Sequence, residues 1–581
     1  MSDGSYVKTL PLFFILFTIN RGTIISLRRI IKMLNDLNAD LILTGGNIIT
    51  INPAQPRAEA VAVKQGRIQA VGSTADIDQL RGPRTEVIDL KGRTMVPGFN
   101  DAHNHMSIYG LQLKMVPLKY PDIRSIPDIV QALKERASTQ KPGTWVMGAG
   151  YDNNKLTQGR HPNCWELDEV SNDHYVIVRH TSGHMCVVNS KAMELVDITS
   201  DTPDPEGGHV DKNEKGEPTG LLQETAQELL REQFFPASVN TLVEALEAAN
   251  RVYLSEGITS QSEAGIGFHS NTELLAYQEA IRQRKLNVRS NLMILVDTVK
   301  DIECADGETF FGLSQGIRTG WGNEKLRIGP LKIFSDGAIT GRTAAMNEAF
   351  DTEPGNVGFF AAGEEQLREW IIKGHCSGWQ LAVHACGDRA NSYILDCYEA
   401  AMKRFKRSDA RHRIEHCGIV NPQIIDRVKA LGVIPVPQQH FIGELGEGFK
   451  MNIGPQRTRW CYPQRSYLDR DIPIPGSSDR PVVKGAPLLG IHDAVNQKTD
   501  SGNDYVPEEK ITPEEAIRAY TIHSAYASFE ENIKGSVEVG KLADFAILGA
   551  DPTAVDPTEI AHIPIHGTMI NGELLYNNSL Y

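Results

Sequence analysis

Cysteine is scarce in this chain and is nowhere arranged as CxxC. The 581 residues hold eight cysteines, at Cys164, Cys186, Cys304, Cys376, Cys386, Cys397, Cys417 and Cys461. The missing CxxC excludes a zinc ribbon and a thioredoxin-type site. Eight scattered thiols over this length make no disulfide framework, so reduced thiols in the cytoplasm are the expected state. A basic surplus is lacking too: 59 Lys and Arg stand against 73 Asp and Glu, a net charge of −14. That balance argues against nucleic acid and against anionic membranes as partners. It fits a soluble enzyme acting on a small-molecule substrate. The apolar run Leu10–Ile19, LPLFFILFTI, has only ten residues, too few for a helix to span a bilayer. No A-x-A cleavage site follows it, as a signal peptide would need; Arg28, Arg29 and Lys32 follow instead. A signal h-region, a natural extension, and text upstream of a true start at Met33 are the three readings, and the third is preferred. Residues 1–37 are therefore set apart as an N-terminal extension. Solenoid repeats and low-complexity tracts are absent as well.

The length predicts two or three folding units. From Asp40 onward come short β segments broken at Gly or Asn: ADLILTGGNIITIN, AVAVKQGRIQAVG and TEVIDLKGRTMVPGF. The C-terminus has the same character, in GSVEVGKLADFAILGAD and HIPIHGTMINGELLYN. Two β-rich ends around one long middle predict that 38–97 and 533–581 build one small composite domain. Between them, 98–532 alternates strand and helix text. KLRIGPLKIF, WQLAVHAC, RHRIEHC, GVIPVPQ and DIPIPGSSD are short apolar strands of the kind buried on both faces. Helical stretches such as RANSYILDCYEAAMKRF and NPQIIDRVKALG separate them. This alternation predicts a parallel α/β fold, with a (β/α)8 TIM barrel as first choice. Residues 120–240 fit less well and read as an insertion capping the barrel mouth.

Polar residues end several of these strands, where a barrel carries its active site. His103 and His105 lie one residue apart in PGFNDAHNH, a spacing that puts both imidazoles on one face of a strand. Alone, an HxH is weak evidence, and surface or core histidine is the commoner reading. His384 ends LAVHACGD, His416 ends RIEHCG and Asp479 ends IPIPGSSD, with helix-length spacers between the strands. Lys332 lies in LKIF. A lysine facing a barrel interior is a costly buried cation, unless it takes up carbon dioxide and becomes a carbamate whose oxygens bridge two metals. At a strand edge its ammonium would simply sit in solvent.

These motifs resemble the amidohydrolase superfamily, in particular the amidohydrolase family 3 group that includes N-substituted formamide deformylases. The resemblance runs from about residue 38 to the C-terminus, through VPGFNDAHNH, SGHMCVVNS, GEPTGLLQE, LKIFSDGAITGRTAAM, VHACGDRAN, RIEHCG, SSDRPV, EEAIRAYTIHSAYA and GSVEVGKLADFAIL. It implies one or two divalent metals, with zinc the expected ion. His103, His105 and Asp479 would hold one metal, and His384 and His416 the second. Lys332, N6-carboxylated, would bridge them, and Asp479 would serve as general base. It also implies a β-sandwich made by the chain ends.

Further residues are candidates for substrate contact, each with a plainer alternative. Tyr151 and His184 come from the cap and resemble family positions near the substrate; packed or hydrogen-bonded core residues are the alternatives. Asp336 and Arg342 follow Lys332 and could instead fix a loop, as Asp388 could after His384. His440, in Pro437-Gln438-Gln439-His440, departs from the Gln-Pro-x-His text usual in the family. Arg480 could meet a substrate carboxylate or form an ordinary salt bridge. The activity implied is hydrolysis of a C–N bond, an N-formyl or N-acyl amine. A deaminase or a cyclic imide or lactone hydrolase would use the same site. A binding protein that had lost catalysis would lack ligands, and none is lacking here. A homodimer fits the commonness of symmetric assemblies.

Overall fold

Seven parallel strands buried on both faces form the centre of the molecule. The computed structural model describes residues 38–234, 237–268, 272–304 and 309–578; the run Leu10–Ile19 and the remainder of 1–37 lie outside the described residues. In chain order the central strands are β1 (Phe99–Asn104), β2 (Ile258–Ile266), β3 (Arg289–Leu295), β4 (Leu326–Phe334), β5 (Leu381–Ala385), β6 (Arg413–His416) and β7 (Ile434–Val436). They pair in that same order, β1 to β7, and every pairing is parallel. Between the outer strands runs Ile474–Asp479, which has no strand assignment. It still bonds to both. Ala102 donates to Gly476 O and Asp479 donates to His103 O, while Ser477 Oγ donates to Pro437 O at 2.8 Å.

Helices cover the outside of these strands, and their ends follow local chemistry. Asn421 accepts from the Ile424 N–H, Pro422 opens the helix Pro422–Leu431, and Gly432 closes it at φ 62°. That left-handed backbone is open to glycine at little steric cost. The helices Glu364–Cys376 and Asp388–Arg404 bury Leu367, Ile371, Ile394, Leu395 and Tyr398 against the strands.

Residues 116–224 build a separate six-stranded sheet, whose longer strands are Trp145–Tyr151, Tyr175–His180 and Pro218–Glu224. It has its own apolar clusters, around Leu133, Val146 and Val178 on one face and Ile177, Cys186 and Leu222 on the other. The chain ends do meet. One six-stranded sheet combines Asn47–Ile49 and Thr94–Pro97 with Phe545–Leu548, Ile565–Ile570 and Glu573–Asn577. A four-stranded sheet from 41–89 shares an apolar cluster with it, through Leu41, Leu43 and Val63 against Met95, Phe545 and Ile547. Arg289 on β3 is bound bidentately by Asp544 at 2.6 and 3.0 Å, with both side chains buried. Removing one partner of such a pair costs about 3–5 kcal/mol, so this contact ties the end sheets to the barrel. Among the described residues, no helix is long and apolar enough to cross a membrane.

Candidate active site

β1 stops at Asn104 and the chain turns at once into the helix Met106–Gln112. His103 is therefore on the strand, whereas His105 stands in the turn at φ −122°, ψ 74°. Their rings lie 5.6 Å apart. Both Nε2 atoms face Asp479 Oδ1, at 3.3 Å from His103 and 3.1 Å from His105. Asp479 sits at φ 56°, a left-handed conformation rare outside glycine and typical of functional sites.

β5 and β6 bring the second group. His384 lies within β5, and His416 closes β6 at φ 68°. Their ring centroids are 4.4 Å apart, and His416 is 5.0 Å from His103. Cys386, which sequence reasoning passed over, places its Sγ 3.6 Å from His384 Nε2. Ligand atoms of His384, Cys386 and His416 lie within 4.8 Å of one another, and so do those of His103, His105 and Asp479.

Lys332 on β4 is fully buried, with its Nζ 4.7 Å from the Phe334 ring and no hydrogen-bond partner. Burial pushes its amine down to about 8, against the opposing pull of Glu415 and Asp479. Burial also pushes His416 down to about 3, and holds His384 and His105 below the ordinary imidazole value. Those imidazoles are neutral at pH 7, the form that binds metal. Burial alone would raise the Asp479 carboxyl, but His103 and His105 hold it well below the usual range.

Residues behind the ligands fix their orientation. Glu415 Oε2 pairs with His103 Nδ1, and Arg413 grips the same carboxylate at 2.7 and 2.8 Å. Gln438 Oε1 lies 2.6 Å from His416 Nδ1. Such partners set which imidazole nitrogen is left for a metal. Sequence reasoning missed both, although Glu415 directly precedes His416 and Gln438 lies in the same text as His440.

The donor set fits a divalent metal. Lys332 Nζ is buried without a hydrogen-bond partner, and Asp479 Oδ1 faces the Nε2 atoms of His103 and His105. Buried polar groups are otherwise nearly always paired. Imidazole, carboxylate and thiol together suit zinc-like ions.

Of the residues considered for substrate contact, His184 lines a cavity together with His384, His416 and Asp479 and with the apolar Ile339, Phe441, Leu445 and Phe449. Its Nδ1 is 2.8 Å from Glu224 Oε2. Burial would lower its pKa, but Glu224 holds it above the ordinary value. Tyr151 is buried at the end of a strand of the six-stranded sheet built by 116–224, with its hydroxyl 2.9 Å from His161 Nδ1. The Asp336 carboxylate accepts the N–H groups of Ala345, Cys386 and Gly387, and so braces the chain after His384. Asp388 does likewise for Asn347, at 2.9 Å. Arg342 pairs with Glu353 at 2.9 Å and is partly exposed. Arg480 is buried, paired with Glu256 at 2.7 Å, and lies 4.6 and 5.1 Å from the Tyr109 and Tyr253 ring centres. His440 lies between Asp493 at 2.7 Å and Glu444 at 3.2 Å.

The family model described as "Amidohydrolase family" matches residues 86–576. The protein YtcJ of Bacillus subtilis (strain 168) is 31% identical over 92% of this chain and 99% of its own length. An N-substituted formamide deformylase of Arthrobacter pascens is 29% identical over 93% of this chain and 99% of its own. A crystal structure of an uncharacterized metal-dependent hydrolase from Pyrococcus horikoshii OT3 superposes with a TM-score of 0.70 at 26% identity, covering 89% of this chain and 99% of that one. The chain belongs to the amidohydrolase family.

Proposed function

We propose that this enzyme hydrolyses an N-formyl or N-acyl amine, using two zinc ions bridged by a carboxylated Lys332. The observation that carries the reading is the placement of Lys332 Nζ. It is buried and without a hydrogen-bond partner, in a barrel that also brings together the His103–His105–Asp479 and His384–His416 groups. The substrate class draws on the similarity to the Arthrobacter pascens deformylase. In this reading Ile474–Asp479 occupies the eighth strand position of a (β/α)8 barrel spanning 98–532. Residues 38–97 and 533–581 form its β-sandwich, and 120–240 cap its mouth. The setting is the cytoplasm, in keeping with eight unpaired thiols.

Lys332 acquires its bridging form by attack of the neutral amine on carbon dioxide. An N–C bond forms, and one proton leaves the nitrogen for solvent. His103, His105 and Asp479 would hold one ion, and His384 and His416 the other, with Glu415 orienting His103 and Gln438 orienting His416. When bound, such ions acidify a water and polarise the scissile carbonyl. Asp479 takes the proton as the water oxygen attacks the acyl carbon. The same carboxyl returns that proton to the amine nitrogen as the C–N bond breaks, giving acid and free amine. His184, held by Glu224, faces the acyl group from the cap, and the apolar wall opposite takes its substituent.

Metal content per chain, measured for wild type and Lys332→Ala, tests the site. About two zinc equivalents falling in the variant is the expected result, and one equivalent in both would reduce Lys332 to a structural role. A panel of acyclic formamides, N-acyl amines, imides and lactones tests the substrate. Turnover confined to the cyclic compounds or to deamination would replace the substrate reading.

A further inference from the structure

The second ligand group contains a thiol that the function above does not use. Cys386 is two residues beyond His384, just past the end of β5, and is 4% exposed. It lines the same cavity as His384, His416 and Asp479. Its Sγ is 3.6 Å from His384 Nε2. A tetrahedral zinc with Zn–S of about 2.3 Å and Zn–N of about 2.0–2.1 Å has an S···N edge of roughly 3.5 Å. The thiol and the imidazole already stand at that separation. The other buried thiols near the strand ends are committed elsewhere: Cys417 is 3.3 Å from the Tyr467 hydroxyl, and Cys461 is hydrogen-bonded with Tyr505. The backbone is also set for the purpose. Asp336 Oδ1 accepts the Cys386 N–H at 3.0 Å and Oδ2 accepts the Gly387 N–H at 2.8 Å. The turn carrying Cys386 is therefore pinned beneath the ligand cluster.

We propose that Cys386 is the third protein ligand of the second metal, completing a His384–Cys386–His416 site. The inference rests on the two-metal reading above. On binding, the S–H bond breaks, its proton passes to water, and an Sγ–metal bond forms. His384, whose Nε2 now faces Gly337 O at 3.0 Å, would shift to the Nδ1–H tautomer: Nε2 gives up its proton and Nδ1 gains one, so the imidazole stays neutral and its Nε2 lone pair is free for the metal. The two sites then differ in character. The first offers nitrogen and oxygen donors, and the second adds a soft sulfur that favours zinc over magnesium or manganese.

X-ray absorption at the zinc edge of the full-length, zinc-loaded protein tests this. Wild type should show a sulfur shell at about 2.3 Å beside the nitrogen and oxygen shell at about 2.0–2.1 Å, with about one sulfur per pair of zincs. Cys386→Ala should lose the sulfur shell and keep the other, while Cys417→Ser should keep both. Loading with cobalt supplies a second readout on unmutated protein, a thiolate-to-cobalt charge-transfer band in the near ultraviolet. Bound zinc with only nitrogen and oxygen neighbours in wild type would overturn the Cys386 assignment alone. A sulfur shell that survives in Cys386→Ala would overturn it equally. A protein that binds no zinc would overturn the two-metal reading, and this inference with it.

Discussion

Two pairs of neighbouring histidines lie near opposite ends of β5 and β6, the second formed by His375 of the helix Glu364–Cys376 and His412, just before β6. Near their C-terminal ends His384 and His416 lie 4.4 Å apart, ring to ring; near their N-terminal ends His375 and His412 lie 5.0 Å apart. Burial holds both His384 and His412 well below the ordinary imidazole value, so titration does not separate the pairs. Hydrogen bonding does. His375 Nδ1 meets His412 Nε2 at 2.7 Å, His375 Nε2 meets Phe405 O at 2.7 Å, and His412 Nδ1 accepts the Leu381 N–H. All four nitrogens of that pair are occupied. In the other pair His384 uses one nitrogen on Gly337 O and His416 one on Gln438, and both residues border the cavity. A saturated histidine pair is structure, while a pair with spare nitrogens at the C-terminal mouth of a barrel is a site.

Mutating one member of each pair gives the largest expected contrast. His416→Ala should lower kcat/KM by at least about 100-fold, the scale for removing a preorganised electrostatic group, and should cost about one metal equivalent. His412→Ala should leave metal content intact. It strands buried partners at a cost of about 1–3 kcal/mol of stability, read as a lower Tm. Equal metal loss in both variants would erase the distinction. A smaller effect is expected one layer out. Glu415→Gln keeps the shape beside His103 but weakens its grip on Nδ1, and should lower metal affinity by about 10–100-fold, measured by competition with a chelator. Unchanged affinity would show that strand geometry alone orients His103.

His384, His416 and Asp479 were picked out because each closes an apolar run in the sequence, and the helices between them were legible from their caps and period. Other parts were hidden for physical reasons. β2 reads ITSQSEAGI and is buried throughout. Its polar face is partly satisfied inside the barrel, as in the bonds of Gln261 to Ser290 and Asn291 to Ser262. A strand that hides hydroxyls and amides this way looks like loop text. Ile474–Asp479 was read as a strand from its apolar residues. Its three prolines, Pro473, Pro475 and Pro481, lie in or beside it and cannot donate to a ladder, so it lies along β1 without regular pairing. Glu415 and Cys386 each stand beside a recognised ligand, and spacing alone gives no reason to choose between them and any other neighbour.

His440 sharpens the comparison from the opposite side, because its nitrogens are saturated by carboxylates instead of neutral groups. Burial would lower its pKa, but Asp493 and Glu444 raise it to about 9, while His440 and Lys119 help hold Glu444 at about 2 despite burial. The signs are opposite for the two groups. Relative to an unfolded imidazole near 6.5, the raised His440 stabilises the fold fully below that pH, and the contribution is lost as pH rises through about 9. The depressed Glu444 contributes fully above its ordinary 4.5, and loses that contribution as pH falls through about 2. Stability from the pair is therefore complete between about pH 4.5 and 6.5 and declines on the alkaline side. Tm measured from pH 6.5 to 9 should fall in wild type, and the slope should flatten in His440→Gln, whose Tm is lower overall because Asp493 and Glu444 lose their shared cation. The same slope in both proteins would mean that His440 is neutral in the folded state, and that its two carboxylate neighbours are no more polarising than the carbonyl and imidazole around His375.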